Sequence, residues 1–446
     1  MKKTVLIATL FAALSFSLSA QVVEPTFYKL TVDDAVNMAI KNNISVKQSK
    51  LSLDMLEKQD KYSWNSISPS LSASGGISGG ASNIDPTTRQ LSDKFYDNGF
   101  SWSASASLNL RFTPALFTSI KAARLSYEAG EASYESTKRS IELSVRKSFY
   151  SLLYTRENIT LQEAAVATAR QTYEANQAKY NQGRLSELDL LTSQYNYESK
   201  KPSVDMMKNN YRSSLNAFKQ VLGMKLIDEV ELEGNLEELL NFNIPEDITN
   251  VDLNTVPAVK NILRNIETAK NSLQATKYSA WGPSVSANGG VTSKGDVKAD
   301  AGNPSVSFNY GLNVSIPLDG FLPWSNGALS VENQETNLEK LQLELENTKT
   351  STIISIENYY NAIIQAQNQL KTYENNVDLM QRTYNMSKTS YNSGSSSLFS
   401  LQTAGDNLAN AKYNLQSQRY SIISAVLDLE NILGLPFGSL NFKETK

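Results

Sequence analysis

A stretch of this chain recurs further along it. Tyr180-Asn181-x-Gly183 reappears as Tyr391-Asn392-x-Gly394. The same offset of 211 carries Thr172-Tyr173 onto Thr383-Tyr384, Leu190 onto Leu401, Thr192 onto Thr403 and Leu222-Gly223 onto Leu433-Gly434. A second pair, PSLSASGGI at Pro69–Ile77 and PSVSANGGV at Pro283–Val291, is identical at six of nine positions. Solenoid units repeat every ~20–50 residues. A period this long therefore reads as one structural half built twice. The halves fall at 21–223 and 251–434, around an acidic connector at 224–250 and before a short tail at 435–446.

Each half has the same internal order. The first opens with a helix over 31–65, whose Thr31-x-x-Asp34 start resembles a capping box. Two strand-like blocks follow, and then a long helical pattern over 119–180, matched by 328–391 in the second half. Neither contains Pro, and Gly130 is the only Gly in either. At ~1.5 Å per residue such a helix reaches roughly 90 Å. In the second, Ile353, Ile356, Tyr360, Ile363, Leu370 and Val377 follow an interrupted coiled-coil seam. A Gly-containing break then turns the chain into a second helix that runs back to Leu-Gly. The prediction is mostly α with a small β part: two long αα-hairpins and four strands.

The strands alternate with period 2. In 101–110, Trp102, Ala104, Ala106, Leu108 and Leu110 alternate with Ser and Asn. In 305–316, Val306, Phe308, Tyr310, Leu312, Val314 and Ile316 alternate with Ser, Asn and Gly. This pattern suits a sheet with lipid on one face and water on the other. Trp64, Trp102, Trp281 and Trp324 all lie in or beside the strand blocks, as the aromatic girdles of a membrane barrel would. Four strands cannot close a barrel in lipid, where open edges are forbidden and the smallest barrels have ~8 strands. Two copies would give a barrel filled by side chains. Three would give a 12-stranded barrel with room for a lumen, which the small polar residues also favour.

Composition narrows the chemistry. The chain has no Cys and no His, which excludes disulfides, thiolate nucleophiles, Cys/His zinc sites and imidazole acid–base catalysis. A net charge of -3 carries no nucleic-acid footprint. Asp33-Asp34 is a carboxylate pair at a helix start, where it complements the helix dipole. The Gly75-Gly76 and Gly289-Gly290 pairs lie in strands and lack the setting of a phosphate loop. No enzyme and no cofactor is expected. Residues 1–20 read as a signal peptide, with Lys2 and Lys3 before the apolar run Val5–Leu18. No later stretch is apolar for long enough to form a transmembrane helix.

In this order, the blocks KYNQGRLSELDLLTSQYNY and SYNSGSSSLFSLQTAGDNL, each followed by a helix ending in Leu-Gly, resemble the TolC-like outer membrane efflux protein family. The resemblance covers about Leu30 to Gly434. It implies a homotrimer in the outer membrane of a Gram-negative bacterium, with a 12-stranded β-barrel in the lipid and an α-barrel tunnel in the periplasm. It implies a passive exit duct for small molecules, gripped at the tunnel tip by a periplasmic adaptor and energised by an inner-membrane pump. An exit duct for type I protein secretion has the same fold. A periplasmic coiled-coil scaffold without a pore is the rival of another class.

The resemblance also implies site residues. Gly183, Arg184, Leu185, Gly394, Ser395 and Ser396 are expected at adaptor-contacting hairpin tips. Asp189 matches a position at the family's periplasmic aperture, with Thr192 beside it. In the second half the family's aperture carboxylates fall where this chain has Ser400 and Thr403, and Asp406 lies one turn beyond. A three-fold ring of Asp there would attract cations.

Overall fold

A computed structural model describes residues 25–79, 100–237, 240, 251–297 and 304–440. The expected signal peptide, the stretch 81–99, most of 294–304 and the end of the tail lie outside the described residues. By chain contact the molecule divides into two compact units. One runs through Asn43 and takes up again at Ser148–Leu236; the other holds Ile44–Lys147 and resumes at Glu237. Among the described residues no helix is long and apolar enough to cross a membrane.

Among the described residues, seven α-helices carry most of the structure: α1 (Val32–Asn42), α2 (Ile44–Lys61), α3 (Ala115–Asn181), α4 (Glu187–Leu222), α5 (Pro257–Trp281), α6 (Asn326–Asn392) and α7 (Leu398–Leu433). The duplication is legible in their lengths. Both α3 and α6 have 67 residues, and both α4 and α7 have 36. At ~1.5 Å per residue the longer pair each reach about 100 Å. The Thr31 box forms as expected: its hydroxyl accepts from the Asp34 N–H, and the Asp34 side chain accepts from the Thr31 N–H. The Thr31 hydroxyl, which donates to the Asp34 carboxylate at 2.6 Å, and the Thr31 N–H hold that carboxyl below its ordinary range.

The helix expected over 31–65 is not continuous. It breaks at Asn43, whose backbone leaves the helical region and whose side-chain amide donates to the Val221 carbonyl at 2.8 Å. An Asn that can satisfy a helix-end carbonyl competes with helix continuation. After α2 the chain tightens into a 3₁₀ turn at Ser63–Ile67.

The first unit contains a sheet the sequence pattern did not reveal. β1 (Phe27–Leu30) pairs in parallel with β4 (Glu229–Leu232), so part of the expected connector is a strand. Four residues are too few for alternation to register. Their inward residues Leu30 and Leu232 are buried, as are Phe149, Leu153, Phe218, Leu222 and Leu236. The Phe149 and Phe218 rings meet at 6.3 Å, which joins α3 to α4.

In the second unit β2 (Ser70–Gly79), β3 (Phe100–Phe112), β5 (Ser284–Asp296) and β6 (Ser305–Ser315) form one antiparallel sheet in the order β2-β3-β5-β6. Register sorts the two faces. One carries rows such as Phe308–Val291–Ala106–Ala73 and Tyr310–Gly289–Leu108–Leu71. The other carries Ser307–Thr292–Ser105–Ser74 and Asn309–Gly290–Ser107–Ser72. Neither face of β6 is covered, and Phe308 and Tyr310 are 79% and 92% exposed. The outer edges of β2 and β6 have no strand partner among the described residues.

Helices α6 and α7 bury Ile356, Ile363, Val426, Leu429, Leu433 and Leu440 in one cluster. Of the expected seam, Ile356 and Ile363 lie in it, whereas Ile353 is 38% exposed. A 3.6-residue helix drifts off any strict heptad line unless it supercoils to follow it. The cluster is closed from below by the chain end. Glu430, on α7, accepts from the Gly438 and Leu440 N–H groups at 2.9 Å each. Arg139, on α3, donates to the Glu430 and Leu435 carbonyls at 2.6 Å and lies over the Phe437 ring at 4.7 Å. A cation on the last carbonyls of a helix satisfies groups the helix itself cannot.

Glycines in the helix ends behave differently despite equal backbone angles. Gly183 and Gly223 have φ of 70° and 69°. A Cβ at Gly183 would meet open space, whereas one at Gly223 would sit 2.8 Å from Asn42 Cβ and 3.0 Å from its carbonyl oxygen. Left-handed backbone costs an L-residue about 1–2 kcal/mol. Gly183→Ala is expected to lose about that much and keep its fold. Gly223→Ala adds a collision between α4 and α1, and is expected to show the larger loss of protection in hydrogen exchange of residues 219–224. Equal losses would refute the steric argument.

Candidate functional site

The tips of the two hairpins are built alike. After α3 the Gly183 N–H donates to the Tyr180 carbonyl at 2.8 Å and the Arg184 N–H to Lys179 at 2.9 Å. After α6 the Gly394 N–H donates to Tyr391 at 3.1 Å and the Ser395 N–H to Ser390 at 2.9 Å. These are the two bonds of a Schellman turn, and its left-handed residue is Gly in both. A serine then caps each returning helix: Ser186 accepts from the Asp189 N–H at 3.1 Å, and Ser397 from the Ser400 N–H at 3.2 Å. Ten residues before each tip a tyrosine ties the hairpin together. Tyr173 stacks on Tyr197 at 6.3 Å, where Lys201 lies 4.0 Å above the same ring. Its counterpart Tyr384 packs beside Gly405, and burial raises its phenol pKa.

Every residue expected at the tips is there, each set at the end of its own hairpin. Gly183 and Arg184 are exposed and Leu185 is half-buried; Gly394 and Ser395 are exposed and Ser396 half-buried. Asp189 is the third residue of α4. Besides being capped, its carboxylate accepts from the Ser186 hydroxyl at 2.7 Å. Thr192 spends its hydroxyl on the Leu188 carbonyl at 2.7 Å. Ser400 is the third residue of α7 and shares a hydroxyl–hydroxyl bond with Ser397. Thr403 and Asp406 are exposed on α7. The structural counterpart of Asp189 is thus Ser400, and the two hairpins differ there by one charge.

The four tryptophans mark two levels of the sheet. Trp102 stands in register with Ile77 and Gly295, at the end away from the helices. Trp64 lies in the turn before β2, Trp281 ends α5 just before β5, and Trp324 precedes α6. Trp281 donates its indole N–H to the Gly320 carbonyl at 2.7 Å. Between Trp102 and Phe112, the last residue of β3, the strand runs ten residues. At ~3.3 Å each and a 45° tilt, that spans roughly 23 Å, close to the ~25 Å apolar band of an outer-membrane barrel.

One charged residue of β3 lies beyond the alternation, which is legible in the sequence only as far as Leu110. β3 continues to Phe112 and places Arg111 on the polar face, in register with Ser286. No cluster of acidic side chains able to hold a metal occurs among the described residues.

Two hairpins, each a 67-residue and a 36-residue helix joined by a Schellman tip, and a two-faced four-stranded sheet are the parts of an outer-membrane channel of the α-hairpin type. The chain belongs to the outer membrane efflux protein family, whose profile matches residues 35–224 and 251–435. It resides in the outer membrane. Among its relatives is nodulation protein T of Rhizobium leguminosarum bv. trifolii, 21% identical over 78% of this chain and 73% of that one. Another is the toxin and drug export protein A of Aggregatibacter actinomycetemcomitans, 21% identical over 63% of this chain and 62% of that one. The crystal structure of the Campylobacter jejuni CmeC outer membrane channel superposes with a TM-score of 0.71 at 20% identity, over 93% of this chain and 87% of that one.

Proposed function

We propose that three copies of this chain form the passive exit duct of a tripartite efflux pump, carrying small molecules across the periplasm and outer membrane. The observation that carries the trimer is the sheet. It has an exposed apolar face and two open edges, which lipid forbids. Three copies supply twelve strands and a lumen wide enough to conduct. The drug export named for one relative supports a small-molecule cargo. The sequence halves 21–223 and 251–434 are the units of the duplication, and 224–250 is the connector between them. Trp64, Trp102, Trp281 and Trp324 sit at the membrane interfaces.

The exposed tips suit contact with a periplasmic adaptor, through Gly183, Arg184 and Leu185 on one hairpin and Gly394, Ser395 and Ser396 on the other. The adaptor in turn couples to an inner-membrane pump. Asp189, with Thr192, lines the aperture in the first hairpin. Ser400, Thr403 and Asp406 hold the equivalent stretch of the second. The test is single-channel conductance of the purified protein in planar bilayers, with Asp189→Asn and Asp406→Asn beside the wild type. The expected result is a low, cation-selective conductance whose selectivity falls or whose magnitude rises in Asp189→Asn. A monomeric species with no conductance would rule out the duct.

A further inference from the structure

The polar face of the sheet is almost free of charge. Three hydroxyl pairs bridge β2 and β3: Ser72 with Ser107 at 2.8 Å, Ser74 with Ser105 at 2.8 Å and Ser78 with Ser101 at 3.1 Å. Beside them stand Asn109, Asn288, Asn309, Asn313 and Thr292. At the end away from the helices Lys294 and Asp296 lie two residues apart on this face and offset each other. At the opposite end, where β3 runs into α3, the Arg111 guanidinium has no hydrogen bond or ion pair among the described residues, and the residue's register partner is Ser286. Apart from Asp296 beside Lys294 at the far end, no carboxylate lies on the polar face of the described strands. The unbalanced charge of the whole face is therefore one guanidinium per chain.

We propose that Arg111 forms a cationic ring at the helix-side mouth of the barrel and sets the barrel's preference for anionic solutes, those bearing carboxylate, sulfonate or phosphate. The inference rests on the three-copy barrel proposed above. Twelve strands spaced ~4.8 Å apart and tilted about 45° close at a radius of roughly 13 Å. The Debye length at 0.1 M salt is ~10 Å. Three guanidiniums reaching inward from that wall therefore cover the lumen with positive potential, and the neutral hydroxyls around them do not cancel it. The sign is opposite to that of Asp189.

The chain has no cysteine, so a single introduced thiol is labelled alone. The experiment places Ser286→Cys opposite Arg111 in the full-length protein, reconstituted in lipid vesicles. It measures the ratio of modification rates by a sulfonate and a trimethylammonium methanethiosulfonate reagent. That local readout does not depend on the state of the tip. In the Arg111 background the sulfonate reagent is expected to be favoured by about tenfold at 0.1 M salt, the lower end of electrostatic focusing in a charged mouth. In Arg111→Glu the preference reverses, and both ratios, each normalised to the ratio for a small thiol in solution, approach one at 1 M salt. A ratio unchanged between Arg111 and Arg111→Glu overturns the proposal while leaving the barrel standing. Phe308→Cys, on the apolar face, separates the other failure. If it reacts with the aqueous reagents as fast as Ser286→Cys, that face is not in lipid, and the barrel reading falls together with the ring.

Discussion

Phe308→Lys is expected to abolish the heat-modifiable trimer in the outer membrane, whereas Ser307→Lys, one residue away, leaves it in place. Phe308 lies on the apolar face of β6, in the row with Val291, Ala106 and Ala73 and between the Trp102 and Trp281 levels. Lysine on the lipid face near the bilayer midplane costs ~2–4 kcal/mol. A closed trimer carries the cost three times, roughly 6–12 kcal/mol, which is as large as the stability of many whole domains. Ser307 belongs to the row with Thr292 and Ser105, where a lysine would stand in water. Unboiled gel electrophoresis of outer-membrane fractions reads both variants. Equal trimer in both would mean that neither face is in lipid.

The period-2 strands and the period-3.6 helices were legible because each is long. Ten or more residues of Ser alternating with apolar residues, and 67-residue stretches almost free of Gly and Pro, leave little competition for local structure. The tips were legible because a left-handed turn needs Gly183 and Gly394, and because the duplication shows the same turn twice. What escaped depends on contacts between distant segments. The β1–β4 pair joins four residues at one end of the chain to four more than 200 positions away, and neither piece is long enough to declare itself. The break at Asn43 is decided by the Val221 carbonyl it reaches. Arg111 was hidden by a strand boundary two residues further on than the alternation suggested. The aperture role proposed for Asp189 rests on resemblance alone, whereas its bond to Ser186 shows that it serves the start of its own helix. Any variant of Asp189 therefore changes a cap as well as a charge.

The chain end offers the second large effect. Glu430 is 0% exposed, and its carboxylate holds the Gly438 and Leu440 N–H groups, which brings Leu440, 4% exposed, into the α6–α7 cluster. Glu430→Ala removes both acceptors and leaves the buried Leu440 N–H unpaired. Losing one partner of a buried charged network typically costs about 3–5 kcal/mol. Residues 436–440 are then expected to detach, and the Leu440 amide to lose most of its protection from hydrogen exchange. Glu430→Gln keeps one acceptor but aims an amide N–H at the second donor, so its loss should be intermediate. The pH dependence has a definite sign. Burial pushes the Glu430 carboxyl above its ordinary range, against the pull of the two backbone donors and of Arg146 and Arg139. The folded chain thus holds this proton to higher pH than the unfolded chain does, and stability falls as pH rises through the folded value. Leu440 protection, corrected for the intrinsic exchange rate, should therefore be greater in mildly acidic than in alkaline buffer, and this dependence should vanish in Glu430→Gln. Unchanged Leu440 exchange in Glu430→Ala would show instead that Arg139, on the Leu435 carbonyl and the Phe437 ring, holds the segment without the carboxylate.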